Sequence, residues 1–170
     1  MKQRTLSRIG FALAIAIILI VAVKVAMDQG DTVTCEGRYN YDAEVSASFE
    51  SASGHIVEAE DGEEFLILHT VIANDGGRVI HTNPLLTVWT ATSDGVDYLF
   101  STETYVHPEY RLADVQKGGI VECALVFEVP EGLLASDFDI SAELRVVGGK
   151  AVFVRDSSLR ASRSSVRGTV

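Results

Sequence analysis

Apolar and polar positions follow one another in three different ways along this chain. Ile9 to Met27 is almost wholly apolar, interrupted only by Gly10 and Lys24. It has no polar stripe, as expected of a helix with apolar surroundings on every side. Coiled as a helix it would span about 28 Å, close to the thickness of a hydrocarbon core. From residue 44 to 154, short β-rich runs alternate with turn residues. Beyond residue 154 the chain is rich in Ser and Arg, and the pattern stops.

The middle region reads as strands. Residues 46–53 form a modest polar candidate, and 58–64 an acidic turn. Residues 65–73 (Phe-Leu-Ile-Leu-His-Thr-Val-Ile-Ala) are a long β-rich run that ends at Asn74-Asp75-Gly76-Gly77. Residues 85–91 follow, and Asp94-Gly95 then turns the chain into 97–100, the spacing of a hairpin. Residues 120–129 form another strand, with Val121, Cys123, Leu125, Phe127 and Val129 on one face and Glu122 and Glu128 on the other. Residues 138–147 and 151–154 complete the set, with Gly148-Gly149 as the turn between them. No helical period recurs after residue 27, so an antiparallel β-sandwich is expected. The resulting division is a basic stub at 1–8, a transmembrane helix at 9–27, a stalk at 28–43, a sandwich at 44–154 and a disordered tail at 155–170.

Charge adds orientation. Lys2, Arg4 and Arg8 precede the apolar run, which keeps that end in the cytoplasm and places everything after Asp28 outside. Lys24 is near enough to the far end to snorkel to the head groups. A cleaved signal peptide would need small residues at −3 and −1, and a cut after Ala26 would put Lys24 at −3. Residues 28–154 carry 6 basic and 23 acidic side chains, a net charge of −17 within a chain total of −10. That field repels nucleic acid and anionic lipid head groups, so no nucleic-acid partner is expected.

The order of certain elements resembles a known group. Gly62 opens the long strand that ends in Asn74. Asp94-Gly95-Val96-Asp97-Tyr98 follows, and then Gly119 leads to Leu125-Val126-Phe127-Glu128-Val129-Pro130. This resembles an extracytoplasmic immunoglobulin-like domain family of unknown function found in bacterial and archaeal lipoproteins. The family is related to the secreted immunoprotective antigen of mycobacteria and includes a lipoprotein domain group named for a telomeric-repeat-binding factor. The resemblance covers residues 62 to about 146 and implies an immunoglobulin-like sandwich with a binding or surface role. It brings no catalytic residues. Such domains often follow a lipidated cysteine, whereas here an apolar segment takes that place.

Candidate chemistry is sparse. Cys35 and Cys123 could form a disulfide tying the stalk to the sandwich. The alternative is a buried free Cys123 and a solvent-facing Cys35. His55, His69, His81 and His107 lack metal-ligand spacing, so no metal is expected, and no cofactor. Glu58, Glu60, Asp61, Glu63 and Glu64 lack the alternation of a calcium loop. Gly-x-Ser-x-Gly, Ser-x-x-Lys and phosphate-loop motifs are missing from the sequence. Residues 101–117 read as a long loop, and Tyr105, His107, Tyr110 and Arg111 are the expected contact residues for a partner. The expectation is a non-enzymatic module, anchored in the membrane through 9–27, that binds an unknown protein or envelope component. The alternatives are a structural subunit of an envelope assembly or a secreted hydrolase.

Overall fold

The computed structural model describes residues 34–146 and 149–160. The stub, the 9–27 span, residues 28–33 of the stalk and residues 161–170 of the tail lie outside these. Among the described residues no helix is long and apolar enough to cross a membrane. What is described is all-β. The strands are β1 (Cys35–Ser46), β2 (Ser48–Glu50), β3 (Ile56–Glu58), β4 (Glu63–Asn74), β5 (Ile80–His81), β6 (Thr87–Ser93), β7 (Val96–Leu99), β8 (Asp114–Val115), β9 (Ile120–Pro130), β10 (Asp139–Leu144) and β11 (Ala151–Arg155). Short 3-10 helices occupy Thr102–Val106 and Ala135–Asp137.

A four-stranded sheet, ordered β11-β1-β4-β9, faces a three-stranded sheet ordered β10-β6-β7. Their inner faces share one core. Tyr39, Leu66, Leu68, Ile72, Leu125 and Phe127 come from the first sheet, and Trp89, Ala91 and Ala142 from the second. The face assigned to core on β9 is indeed core: Cys123, Leu125, Phe127 and Val129 are buried, and Val121 packs at the edge. The β6–β7 hairpin forms as its sequence indicates. Asp94 and Gly95 sit at φ of 50° and 79°, the left-handed pair that a two-residue turn requires.

Four sequence expectations are corrected. Residues 35–43 are not stalk but most of β1, which pairs with β4 from Gly37↔Asn74 to Ser46↔Phe65. The first sheet is not wholly antiparallel, because β11 runs parallel to β1, from Cys35↔Ala151 to Tyr39↔Arg155. The 46–53 strand is instead the end of β1 followed by a separate short strand, β2, paired with β3. The start of the expected disordered tail is held in place. Arg155 ends β11, Arg38 forms a salt bridge with Asp156, and Asn40 donates to the Leu159 carbonyl.

The β2–β3 hairpin also explains why β4 is apolar on both faces. It lays Phe49 and Val57 on the outer side of the first sheet, where Phe65, Ile67, Ala124 and Val126 are buried as a second cluster. A strand covered on both sides has no need for a polar face.

The disulfide expectation fails on register. Cys123 is opposite Thr70, and Thr70 is opposite Tyr41, six residues along β1 from Cys35. Six residues of strand are about 20 Å, far beyond the span of a disulfide. Both thiols are free and both are buried, so the solvent-facing Cys35 is corrected as well. Burial pushes each thiol pKa up. Arg78 partly offsets this at Cys35, and the Thr70 hydroxyl, 3.1 Å from the sulfur, does so at Cys123. A raised thiol pKa suppresses the reactive thiolate.

Candidate functional site

Alternation along β1 puts Cys35, Gly37, Tyr39, Tyr41, Ala43 and Val45 toward the core, so Asn40, Asp42 and Glu44 point outward. On β4 the outward set includes His69 and Val71, with Asp42↔His69 and Asn40↔Val71 as cross-strand pairs. The β2–β3 hairpin covers only one end of this outer face. Beyond it lies a groove of about 440 Å³, lined by Asn40, Asp42, His69 and Val71 from the sheet and by Ser157, Leu159 and Arg160 from the segment after β11. Asp156, whose pKa is held down to about 2 by hydrogen bonds from Ser158 and then by Arg38, anchors that segment.

His69 stands where the covered and open regions meet. Its Nδ1 is 2.8 Å from Glu109 and its Nε2 is 3.4 Å from Glu44. The neighbouring His107 ring lies 6.1 Å away, centroid to centroid. His107 is buried against Phe49 at 5.0 Å, and its Nδ1 accepts a hydrogen bond from the Glu109 backbone N–H. Glu109 therefore joins the two imidazoles, one through its backbone and one through its carboxylate. The loop reaches the sheet at this point, and the Ala124 N–H donates to the Glu109 carbonyl.

The four loop residues expected to contact a partner have different roles. Tyr105 is 51% exposed and sits edge-on between Phe100 and Tyr110. Arg111 is exposed and donates to the carbonyls of Pro108 and Tyr110, closing its own loop. His107 is packing. Tyr110 is half-buried, and its hydroxyl is buried without a hydrogen-bond partner among the described residues. Burial, then Tyr105 and Cys123, push the Tyr110 pKa up. Sequence reasoning missed Asn40, Asp42, Ser157, Leu159 and Arg160, because β1 was read as stalk and the segment after β11 as disordered. Among the described residues no group of three His, Cys, Asp or Glu side chains is arranged to hold a metal. The groove gathers Asn40, Asp42, His69, Ser157 and Arg160 around Val71 and Leu159. A concave surface with this mixture of polar and apolar side chains has the composition of a small-ligand site.

His107 makes the loop sensitive to acid. Desolvation lowers its pKa, as does the nearby His69, while Glu109 and Glu44 oppose the shift. An unfolded histidine titrates near 6.5, so above that pH neither state is charged and stability is flat. As pH falls below about 6.5 the unfolded chain takes up the proton first. Unfolding free energy then declines, by at most about 1.4 kcal/mol per pH unit, until folded His107 is protonated too. Chemical denaturation across this range is expected to show the decline, and His107→Phe, which keeps a ring on Phe49, should reduce its slope. An unchanged slope in His107→Phe would place the effect elsewhere.

No family model matches the chain, and no curated protein does. Solved structures do. A conserved hypothetical protein from Bacillus anthracis is similar at 9% identity and a TM-score of 0.46, over 62% of this chain and 81% of that one. An uncharacterized β-sandwich protein from Clostridium difficile 630 is similar at 18% identity and a TM-score of 0.40, over 68% and 82%. Neither name carries a ligand or an activity.

Proposed function

We propose that this chain is a membrane-tethered, extracytoplasmic binding module with an immunoglobulin-like sandwich, and that its ligand occupies the groove along β1 and β4. The carrying observation is that the outer face of these strands is left open beside the segment after β11, where Asn40, Asp42, His69 and Val71 face Ser157, Leu159 and Arg160 across a groove. A sheet of four strands facing one of three supports the immunoglobulin-like reading. The apolar, basic-flanked run at 9–27 supports the tether. Two features favour binding over catalysis. Both thiols are buried with raised pKa values, and both ring nitrogens of His69 face carboxylates.

Photo-crosslinking in intact cells tests this reading. A photoreactive side chain at Asp42 or at Arg160 is expected to capture a discrete partner. The same group at Glu131, in the turn after β9, is expected to capture nothing. Capture from Glu131 alone, or equal labelling from all three positions, would remove the groove from the proposal.

A further inference from the structure

The two outer edges of the four-stranded sheet differ. Along β9 the side away from β4 is taken. The Ser101 N–H donates to the Val126 carbonyl, the Val126 N–H to the Thr104 hydroxyl and the Ala124 N–H to the Glu109 carbonyl, with a bridge from Phe100 to Phe127 beside them. The other edge is β11. Its contact with β1 runs from the Cys35 N–H on the Lys150 carbonyl to the Asp156 N–H on the Tyr39 carbonyl. Main-chain groups alternate sides along a strand, so those of residues 150, 152, 154 and 156 turn toward β1. The N–H and C=O groups of Ala151, Phe153 and Arg155 point the other way, and no strand among the described residues pairs with that side. Residues 156–160 fold back toward β1 instead, where Asn40 donates to the Leu159 carbonyl.

An open edge is a template for another strand, and proteins usually blunt it with proline or charge. β11 has neither between Lys150 and Arg155. Phe153 packs inward, 4.7 Å from Tyr39 between ring centroids, and Arg155 lies 4.1 Å from the Tyr41 centroid. Val152 and Val154 are 36% and 49% exposed on the outer face.

Laid antiparallel against a copy of itself, the strand is self-complementary about Phe153. Phe153 meets Phe153 and Ala151 meets Arg155, each pair exchanging both of its outward main-chain bonds. Val152 meets Val154, and Lys150 meets Asp156. Small faces large, apolar faces apolar and base faces acid. Moving the register by two residues either way loses hydrogen-bonded pairs and sets Val152 against Asp156 or Val154 against Lys150. We propose that β11 pairs in this register with β11 of a second copy of this chain, joining two four-stranded sheets across a two-fold axis. Five residues of strand from each copy bury far less than the roughly 1,600 Å² of a standard stable interface. The dimer is therefore weak and exchanges with monomer, so covalent trapping reads it better than sedimentation.

Full-length Val152→Cys and Val154→Cys chains, carrying different tags, are co-expressed and the membranes oxidised at about 0.15 M salt. In the proposed register positions 152 and 154 form a non-hydrogen-bonded pair with Cα atoms about 4.5 Å apart, within disulfide reach. Position 152 is about 8 Å from its own counterpart, and so is 154, which is beyond reach. The mixed pair is expected to give a disulfide-linked dimer several-fold above either variant alone and above the wild type, whose two thiols are buried. Lys150→Glu in both chains, which sets a carboxylate against the second copy's Asp156, should lower the yield several-fold. Removing residues 161–170 from both chains should leave it unchanged. Equal yields from the mixed and single variants, or none above the wild type, overturn the proposal. A mixed disulfide that forms only after residues 161–170 are removed also overturns it, by giving the edge to the chain's own tail.

Discussion

Replacing Asn74 by alanine is expected to lower the unfolding free energy by about 3–5 kcal/mol. Asn74 is wholly buried at the end of β4. Its side-chain amide donates to the Arg78 and Val115 carbonyls at 2.6 and 2.7 Å, and its Oδ1 accepts the Gly76 N–H at 3.0 Å. Alanine removes the donor from the buried Val115 carbonyl and from the part-buried Arg78 carbonyl, while the Gly76 N–H keeps the Glu36 carbonyl at 2.9 Å, and each carbonyl left unpaired costs about 1–3 kcal/mol. Asn74→Asp separates the causes. It preserves shape and the acceptor but loses the donors and buries a charge, so it should be at least as damaging. Urea unfolding followed by the fluorescence of Trp89, the one tryptophan of the chain, gives both values. A tolerated Asn74→Asp would mean that the donors do little. Against the usual 5–15 kcal/mol for a domain, a loss of this size is a large share of the total.

Phe127→Ala should cost a similar amount, about 3–5 kcal/mol, through a different mechanism. Phe127 is fully buried in the shared core, and it also bridges to Phe100, the residue that follows β7. Truncation removes the transfer energy of a large ring and leaves a cavity where the two layers meet. The same denaturation experiment applies, with Leu134→Ala as the comparison. Leu134 is 66% exposed, and its removal should stay within about 0.5 kcal/mol. A cost below about 1 kcal/mol for Phe127→Ala would mean that the core collapses around the gap.

Much of the strand content was legible because it is local. β4, β6, β7, β9 and β10 announce themselves by β-rich runs, several of them punctuated by Asp-Gly or by Pro130-Glu131-Gly132. β1 carried an equally regular signal in Cys-Glu-Gly-Arg-Tyr-Asn-Tyr-Asp-Ala-Glu-Val, with inward and outward residues alternating throughout. Gly37 and Ala43 weaken the apolar half of the pattern, so the stretch reads as polar and mixed. The structure shows why Gly37 has to be small: an added Cβ would lie 2.5 Å from the Ile80 Cδ1. A close approach of that kind makes a strand look polar in sequence.

Losing β1 meant losing the groove, since Asn40 and Asp42 are its outward residues. The 101–117 stretch is not a single loop, since it holds the Thr102–Val106 3-10 helix and β8, which pairs with β5. Which of its side chains face solvent was not readable, because the burial of His107 depends on Phe49, nearly 60 residues earlier, lying across the same sheet.

Residue order alone sets the strand periods, the φ-positive turn at Asp94-Gly95, the face of β9 that becomes core and the uneven distribution of charge along the chain. Each of these depends on neighbours a few positions apart. Tertiary structure decides that β11 crosses to lie parallel to β1, that the two cysteines end up about 20 Å apart and that β4 is covered on both faces. Those outcomes depend on which distant strands bury each other's apolar faces, and a periodic pattern says which face is apolar without saying what will cover it.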